Sequence, residues 1–232
     1  MDAPKPEAAK PAYEDVAGLL EYALTRSEFS DQDIARAWER AQQLRVASVI
    51  VRPSDVETVA RWAANSTVRL GTIVDSPYGY SNTACKLYAA RDMLRLRAKE
   101  IDTVIHTGKL ISRQFQYLEM ELLQMAESCH QSGATLKINM ESEHLDEELK
   151  ILCCRIARRA GADYIGTNRL EDVALLKAHS RDRLKIKISA PNADLDTILA
   201  FRDAGITRIQ VSDPAPVLEA WKARIAVPAA TA

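Results

Sequence analysis

Residues 100–140 read EIDTVIHTGKLISRQFQYLEMELLQMAESCHQSGATLKINM. A β-rich run, Glu100–His106, precedes a helical pattern over Ser112–Gln131 and a second β-rich run, Thr135–Met140. Two strands joined by such a helix lie parallel, because the crossover returns the chain to the same edge of the sheet. Parallel strands are covered on both faces and ordinarily read as continuous apolar runs. These two do not. Glu100, Asp102, Val104 and His106 share one side of the first, opposite Ile101, Thr103 and Ile105. Lys137, Asn139 and Glu141 share a side of the second, opposite Leu136, Ile138 and Met140. The apolar sets suit a helix layer, which leaves the polar sets facing the other way.

The alternation continues outward in both directions. Downstream, Ala162–Gly166, Leu184–Ser189 and Thr207–Ser212 read as strands, and 144–159, 170–179, 193–204 and 215–226 as helices. Upstream, 19–24, 47–51 and 69–75 read as strands and 31–44 and 82–96 as helices. Ser30 is the expected N-cap of the helix at 31, with Asp33 as its partner. Another helix is expected from Ser54, with Glu57 three residues on in a capping-box pattern. Eight β/α units in a chain of 232 residues predict the α/β class, as a single-domain, closed (β/α)8 TIM barrel over residues 13–226. Residues 1–12, with three prolines, and 227–232 read as loose ends. In such a barrel chemistry sits at the C-terminal ends of the strands.

Composition narrows the function. The net charge of −1 offers no broad basic face, so no nucleic-acid partner is expected. No apolar run is long enough to span a bilayer, and the opening residues lack the apolar segment of a secretion signal. Four cysteines without CxxC or Cys/His zinc spacing read as reduced thiols of a cytoplasmic protein, with no metal site. Eight glycines are about half the usual ~7% share, and no GxGxxG, GxxxxGK[ST] or GxSxG occurs, so no cofactor is expected. Trp38, Trp62 and Trp221 fall in helical patterns and are expected to pack, and Arg91–Lys99 reads as a solvated helix face.

A third strand repeats the polar anomaly: Lys185, Lys187 and Ser189 lie opposite Ile186 and Ile188. The barrel interior is therefore expected to collect Asp102, Lys137, Glu141 and Lys187. Buried ion pairs add little net stability, because desolvation offsets their attraction. Their clustering reads instead as a functional site.

The run Glu100-Ile-Asp-Thr-Val-Ile-His-Thr-Gly-Lys-Leu110 resembles the EIDxVxNxGxL segment of deoxyribose-phosphate aldolases. Ala47–Pro53 is similar to their ASVCVNP, Asn82-Thr83 with Lys86 to NTxxxK, and Leu136–Ser142 to LKVIxET. Ala160–Thr167 is similar to AGADFVKT, Lys187–Ser189 to the start of KASGG, and Ala204–Ser212 to AGAxRIGTS. The resemblance covers residues 19–222 in order. It implies a (β/α)8 barrel and class I aldol chemistry, in which a lysine forms a Schiff base with the aldehyde. It also implies an aspartate, a second lysine and a water that relay protons, and phosphate held by backbone amides after the last two strands.

Carried over by position, Asp102 matches the relay aspartate and Lys187 the second lysine, which makes them the expected catalytic pair. Lys137 and Glu141 match further polar positions, and His106 stands at a strand end where the family has Asn. Gly166 occupies the place of the Schiff-base lysine. Ser189 and Ser212 keep family serines, but Pro191, Asp213 and Pro214 replace parts of the phosphate loops. Proline has no amide hydrogen and aspartate repels phosphate. Glu21–Thr25 stands for the family's DHTLL. Ligand contacts are expected at Lys137, Glu141, His106, Gly166, Ser189 and Ser212.

Three readings follow for a small-molecule ligand. One is a divergent enzyme using Asp102/Lys187 acid–base chemistry on a carbonyl or sugar-like compound. Another is a catalytically inactive homologue that binds a metabolite or a partner. The third is an aldolase with its amine relocated to Lys187, Lys185 or Lys137. The resemblance also allows a homodimer. An open polar cavity over Gly166 would favour an enzyme or binder, and one filled by side chains a scaffold.

Overall fold

Eight parallel strands pair in chain order in the computed structural model, which describes residues 11–181 and 183–226. They are β1 (Leu20–Leu24), β2 (Ser48–Val51), β3 (Arg69–Val74), β4 (Glu100–Val104), β5 (Thr135–Asn139), β6 (Tyr164–Thr167), β7 (Lys185–Ser189) and β8 (Arg208–Val211). The barrel closes through β1, where Glu21 lies opposite Ser48 of β2 on one side and Gln210 of β8 on the other. The expected end 227–232, and 1–10 of the expected leading end, lie outside the described residues.

The helices are α1 (Glu14–Ala17), α2 (Asp31–Leu44), α3 (Val56–Ala63), α4 (Thr83–Arg95), α5 (Thr107–Ile111), α6 (Phe115–Gln131), α7 (Glu147–Arg159), α8 (Asp172–Ser180), α9 (Leu195–Asp203) and α10 (Ala215–Ala226). α2 begins where its pattern predicts. The Ser30 side chain accepts from Asp33 N while Asp33 accepts from Ser30 N, which satisfies two orphan donors reciprocally. Its buried stripe, Ile34, Trp38 and Ala41, follows helical spacing.

Two local expectations fail. Ser54 caps no helix: Pro53 opens a 3-10 turn over Pro53–Asp55, and α3 starts after it without a side-chain cap. Asp55 is engaged by Arg52, whose Nε lies 2.7 Å from its Oδ2. The helix expected from Ser112 starts only at Phe115, as α6, because Arg113 adopts a left-handed φ of 56°; before that break lies a short helix, α5, that the pattern does not predict.

The core is a ring between strands and helices. Ile101, Leu136, Ile138, Ile186 and Ile188 point outward into it and meet residues such as Leu118, Leu122 and Leu176. Each such fully buried side chain contributes about 1.5–3 kcal/mol. The outward apolar sets of β4, β5 and β7 are those read from the alternation. Trp38 and Trp221 are buried, and Trp221 Nε1 donates to Ala12 O; Trp62 is 37% exposed, so its expected packing is only partial. All four cysteines are free thiols.

Candidate functional site

The inward set of β4, β5 and β7 forms a buried ion network. Parallel register places Asp102 beside Lys137, Gly166 beside Lys187, and Lys187 beside Arg208. The Lys187 ammonium bonds Asp102 and lies 2.8 Å from Glu21 Oε2. The Lys137 ammonium bonds Glu21 and Glu100 and stands 3.7 Å from Asp102 Oδ1. Arg208 approaches Glu21 and Glu100 at 3.5 Å each, and Arg69 Nε lies 3.1 Å from Glu100. Towards the N-terminal end of the barrel the ring of Tyr164 has the Lys137, Lys185 and Arg208 cations within 6 Å of its centre.

Burial opposes charge throughout this cluster, and its geometry decides each outcome. Burial works against the Lys137 ammonium, but the carboxylates of Asp102, Glu21 and Glu100 outweigh it and hold the group above the usual lysine range. Burial also pushes Glu21 up, yet Lys137 and Lys187 together bring it down to about 2. Asp102 goes the other way. Burial raises its carboxyl, with Glu21 adding to the effect, and its two lysines do not fully compensate. Its Oδ1 is buried and makes no hydrogen bond.

Three of the four residues expected in the interior therefore meet there: Asp102, Lys137 and Lys187. Glu141 does not. The ladder of β5 ends at Asn139, and the chain turns into a 3-10 segment over Ser142–His144. The alternation stops before Glu141, which sits half-buried beyond the end of β5 and accepts from Thr107 Oγ1 at 2.8 Å. Glu21 and Glu100 take its place. Glu100 shares a side with Asp102 in the sequence, and Glu21 is a lone acid among the apolar residues of a strand, which was the available signal.

His106 is the N-cap of α5, where Nδ1 accepts from Lys109 N at 3.3 Å, a role in the turn rather than in the ion network. Gly166 is buried on the inward side of β6, and the side chain of Asn139 fills the space a β-carbon would take. The Asn139 amide donates to Thr103 O at 3.3 Å.

Ser189 and Ser212 line a cleft of about 190 Å³ at the C-terminal ends of β1, β7 and β8, together with Thr25, Arg26, Phe29 and Gln210. Beside it, sharing Pro191 and Ser212, lies a second cleft of about 420 Å³ that includes Asp194 and Asp213. Helix N-termini are natural anion sites. Here both nearby helix starts are met by the chain's own carboxylates: Asp194 accepts from Thr197 N at 2.9 Å, and Asp213 from Ala215 N at 3.0 Å.

Among the described residues, no three His, Cys, Asp or Glu side chains gather as a metal site, and no helix is long and apolar enough to cross a membrane.

No family model matches the sequence. Curated proteins do. The chain is 31% identical over 217 residues to a deoxyribose-phosphate aldolase of Bacteroides thetaiotaomicron, covering 90% of this chain and 91% of the relative. It is 29% identical to one of Treponema denticola, over 83% of this chain and 93% of the relative. Among solved structures it is similar to QR15, an aldolase, at a TM-score of 0.85 and 25% identity, covering 93% and 99% of the two chains. The deoxyribose phosphate aldolase of Aeropyrum pernix shares the fold at a TM-score of 0.83 and 22% identity, over 92% and 93%.

Proposed function

This chain belongs to the deoxyribose-phosphate aldolase family, and within it we propose a barrel that binds a small uncharged polar ligand at its C-terminal mouth without forming a Schiff base. The observation that carries the reading is the state of the interior amines. A Schiff-base nucleophile must be reachable and able to lose its proton. Lys137 is fully buried among three carboxylates that hold its proton, and Lys187 is buried against Asp102 and Glu21. Lys185 starts β7, at the opposite end of the barrel from the mouth. Gly166 supplies no amine, and Asn139 covers it.

The loops argue in the same direction. The relatives are named for a phosphorylated sugar. In this chain the phosphate end of such a ligand meets Asp194 and Asp213 at the helix starts, and Pro191 and Pro214 offer no amide hydrogen. Arg26, the one cation in the cleft lining, is paired with Glu28, and the other polar groups there are neutral: the hydroxyls of Thr25, Ser189 and Ser212 and the amide of Gln210. These groups suit the hydroxyl or carbonyl oxygens of an unphosphorylated sugar-like compound.

One observation favours a second reading. Asp102, raised by burial and with one oxygen that accepts no hydrogen bond, forms with Lys187 a candidate acid–base pair for moving a proton on a carbonyl ligand.

Borohydride reduction in the presence of acetaldehyde or deoxyribose 5-phosphate, read by intact mass, tests the proposal. No adduct is expected, and calorimetry should detect deoxyribose but not its 5-phosphate. Replacing Asp213 with Ser keeps a capping oxygen and removes the charge, so phosphate binding should improve. A ligand-dependent adduct on Lys187, Lys137 or Lys185 would overturn the reading. Deuterium exchange into the methyl group of acetaldehyde, lost in Asp102→Asn without any adduct, would establish the second reading instead.

A further inference from the structure

The N-terminal face of the barrel, opposite the mouth, carries a groove of about 500 Å³. Its apolar lining comes from Ala60 and Ala63 on the last turn of α3 and from Val68 just before β3. Its polar lining is Ser66 and three cations: Arg69 at the first position of β3, and Arg97 and Lys99 ahead of β4. No carboxylate lines it.

Two of the three cations, Arg97 and Lys99, have no carboxylate partner among the described residues. Arg97 is exposed, and no ion pair involves it among the described residues. Lys99 donates one hydrogen bond, to Ser132 O at 3.1 Å, and an ammonium has three donors. Arg69 stands half in each world. Its Nε faces the buried Glu100 at 3.1 Å, and its Nη2 donates to Lys99 O and to Thr135 Oγ1 at 2.9 Å each. Its side chain remains 41% exposed on the groove side.

We propose that this groove is a binding site for an anion carried on a short apolar body, with the phosphate or carboxylate group at Arg97 and Lys99 and the apolar part on the alanines of α3. Charge complementarity selects the occupant. Three cations without a lining acid attract an anion, and the apolar wall gives no hydrogen bonds to a purely polar one. The site is distinct from the mouth cleft and does not depend on the reading given to that cleft. It also has a route inward. An anion that draws on Arg69 weakens its hold on Glu100, which is bonded to Lys137 in the barrel interior.

Isothermal titration with hexyl phosphate tests the site, with inorganic phosphate and hexan-1-ol as controls. Saturable binding of hexyl phosphate is expected, at least about tenfold tighter than either control. Arg97→Gln with Lys99→Gln should weaken it about tenfold or more, and Ala64→Glu, which places a carboxylate in the lining, should do the same. All three substituted positions are exposed, so the circular dichroism spectrum and Tm of both variants should match the parent. Absence of saturation, equal binding of hexan-1-ol, equal binding of inorganic phosphate, or unchanged affinity in the charge variants would each overturn the proposal.

Discussion

The side chain of Asn139 lies against the bare backbone of Gly166: a β-carbon placed there would collide with Oδ1 and stand 3.1 Å from Cγ. The two residues are register partners on adjacent strands, so the fit is imposed by the ladder and cannot be relieved by sliding. Gly166→Ala forces the Asn139 amide aside and off Thr103 O, which should cost about 1 kcal/mol. Asn139→Ala in the same chain should recover most of that cost, giving a coupling well above additivity. Urea unfolding of the two single variants and the double variant measures it.

Lys137 neutralises more buried charge than any other interior cation, since it faces Glu21, Glu100 and Asp102. Lys137→Met removes one partner and leaves carboxylates stranded in the interior, which should cost about 3–5 kcal/mol. Lys187→Met should cost less, because Lys187 serves only Glu21 and Asp102. Adding Glu100→Gln to Lys137→Met should restore part of the loss. The midpoint of urea unfolding, at constant slope, reads all three.

Glu21 links stability to acid. Its folded value of about 2 lies below its ordinary 4.5, so it contributes stability above that ordinary value and loses it as pH falls through the window from about 4.5 to about 2. Asp102 is raised and acts in the opposite sense, favouring the folded state as it takes up a proton. Glu21→Gln should therefore lower stability at neutral pH and flatten the decline below pH 4.5. Thermal unfolding of parent and variant across that range checks the slope.

Thiol chemistry separates one cysteine from three. Burial pushes Cys129 up to about 12 and Cys154 up to about 11, and holds Cys153 higher still, so none of them forms the reactive thiolate near neutrality. Cys85 is exposed. Ellman's reagent should modify one thiol in the folded protein, mapped to Cys85, and all four after denaturation.

The barrel is legible from the count of eight β/α units, and its charged lining from the period-two alternation of β4, β5 and β7. Asp102, Lys137 and Lys187 could be grouped from that pattern alone. Alternation does not report where a ladder ends, so the pattern runs on to Glu141 although β5 stops at Asn139. Glu21 was hidden for the reverse reason, since a single acid in a short apolar strand makes no pattern. The break at Arg113 uses left-handed backbone at a residue type that gives no turn signal, and the Ser54 pattern lost to Pro53 and the Arg52–Asp55 pair. The meeting of Asn139 with Gly166 depends on inter-strand register, which no local reading supplies.

The interior charges are sorted along the chain. Glu21, Glu100 and Asp102 all come from β1–β4, whereas Lys137, Lys187 and Arg208 all come from β5–β8; Arg69, at the rim of β3, is the exception. Cut between β4 and β5, the molecule becomes an acid half and a base half, each lined with charge that it cannot neutralise alone. Each half alone would hold like charges across its own concave face that the other half is placed to neutralise. Two separately produced halves should therefore pair with each other in preference to themselves.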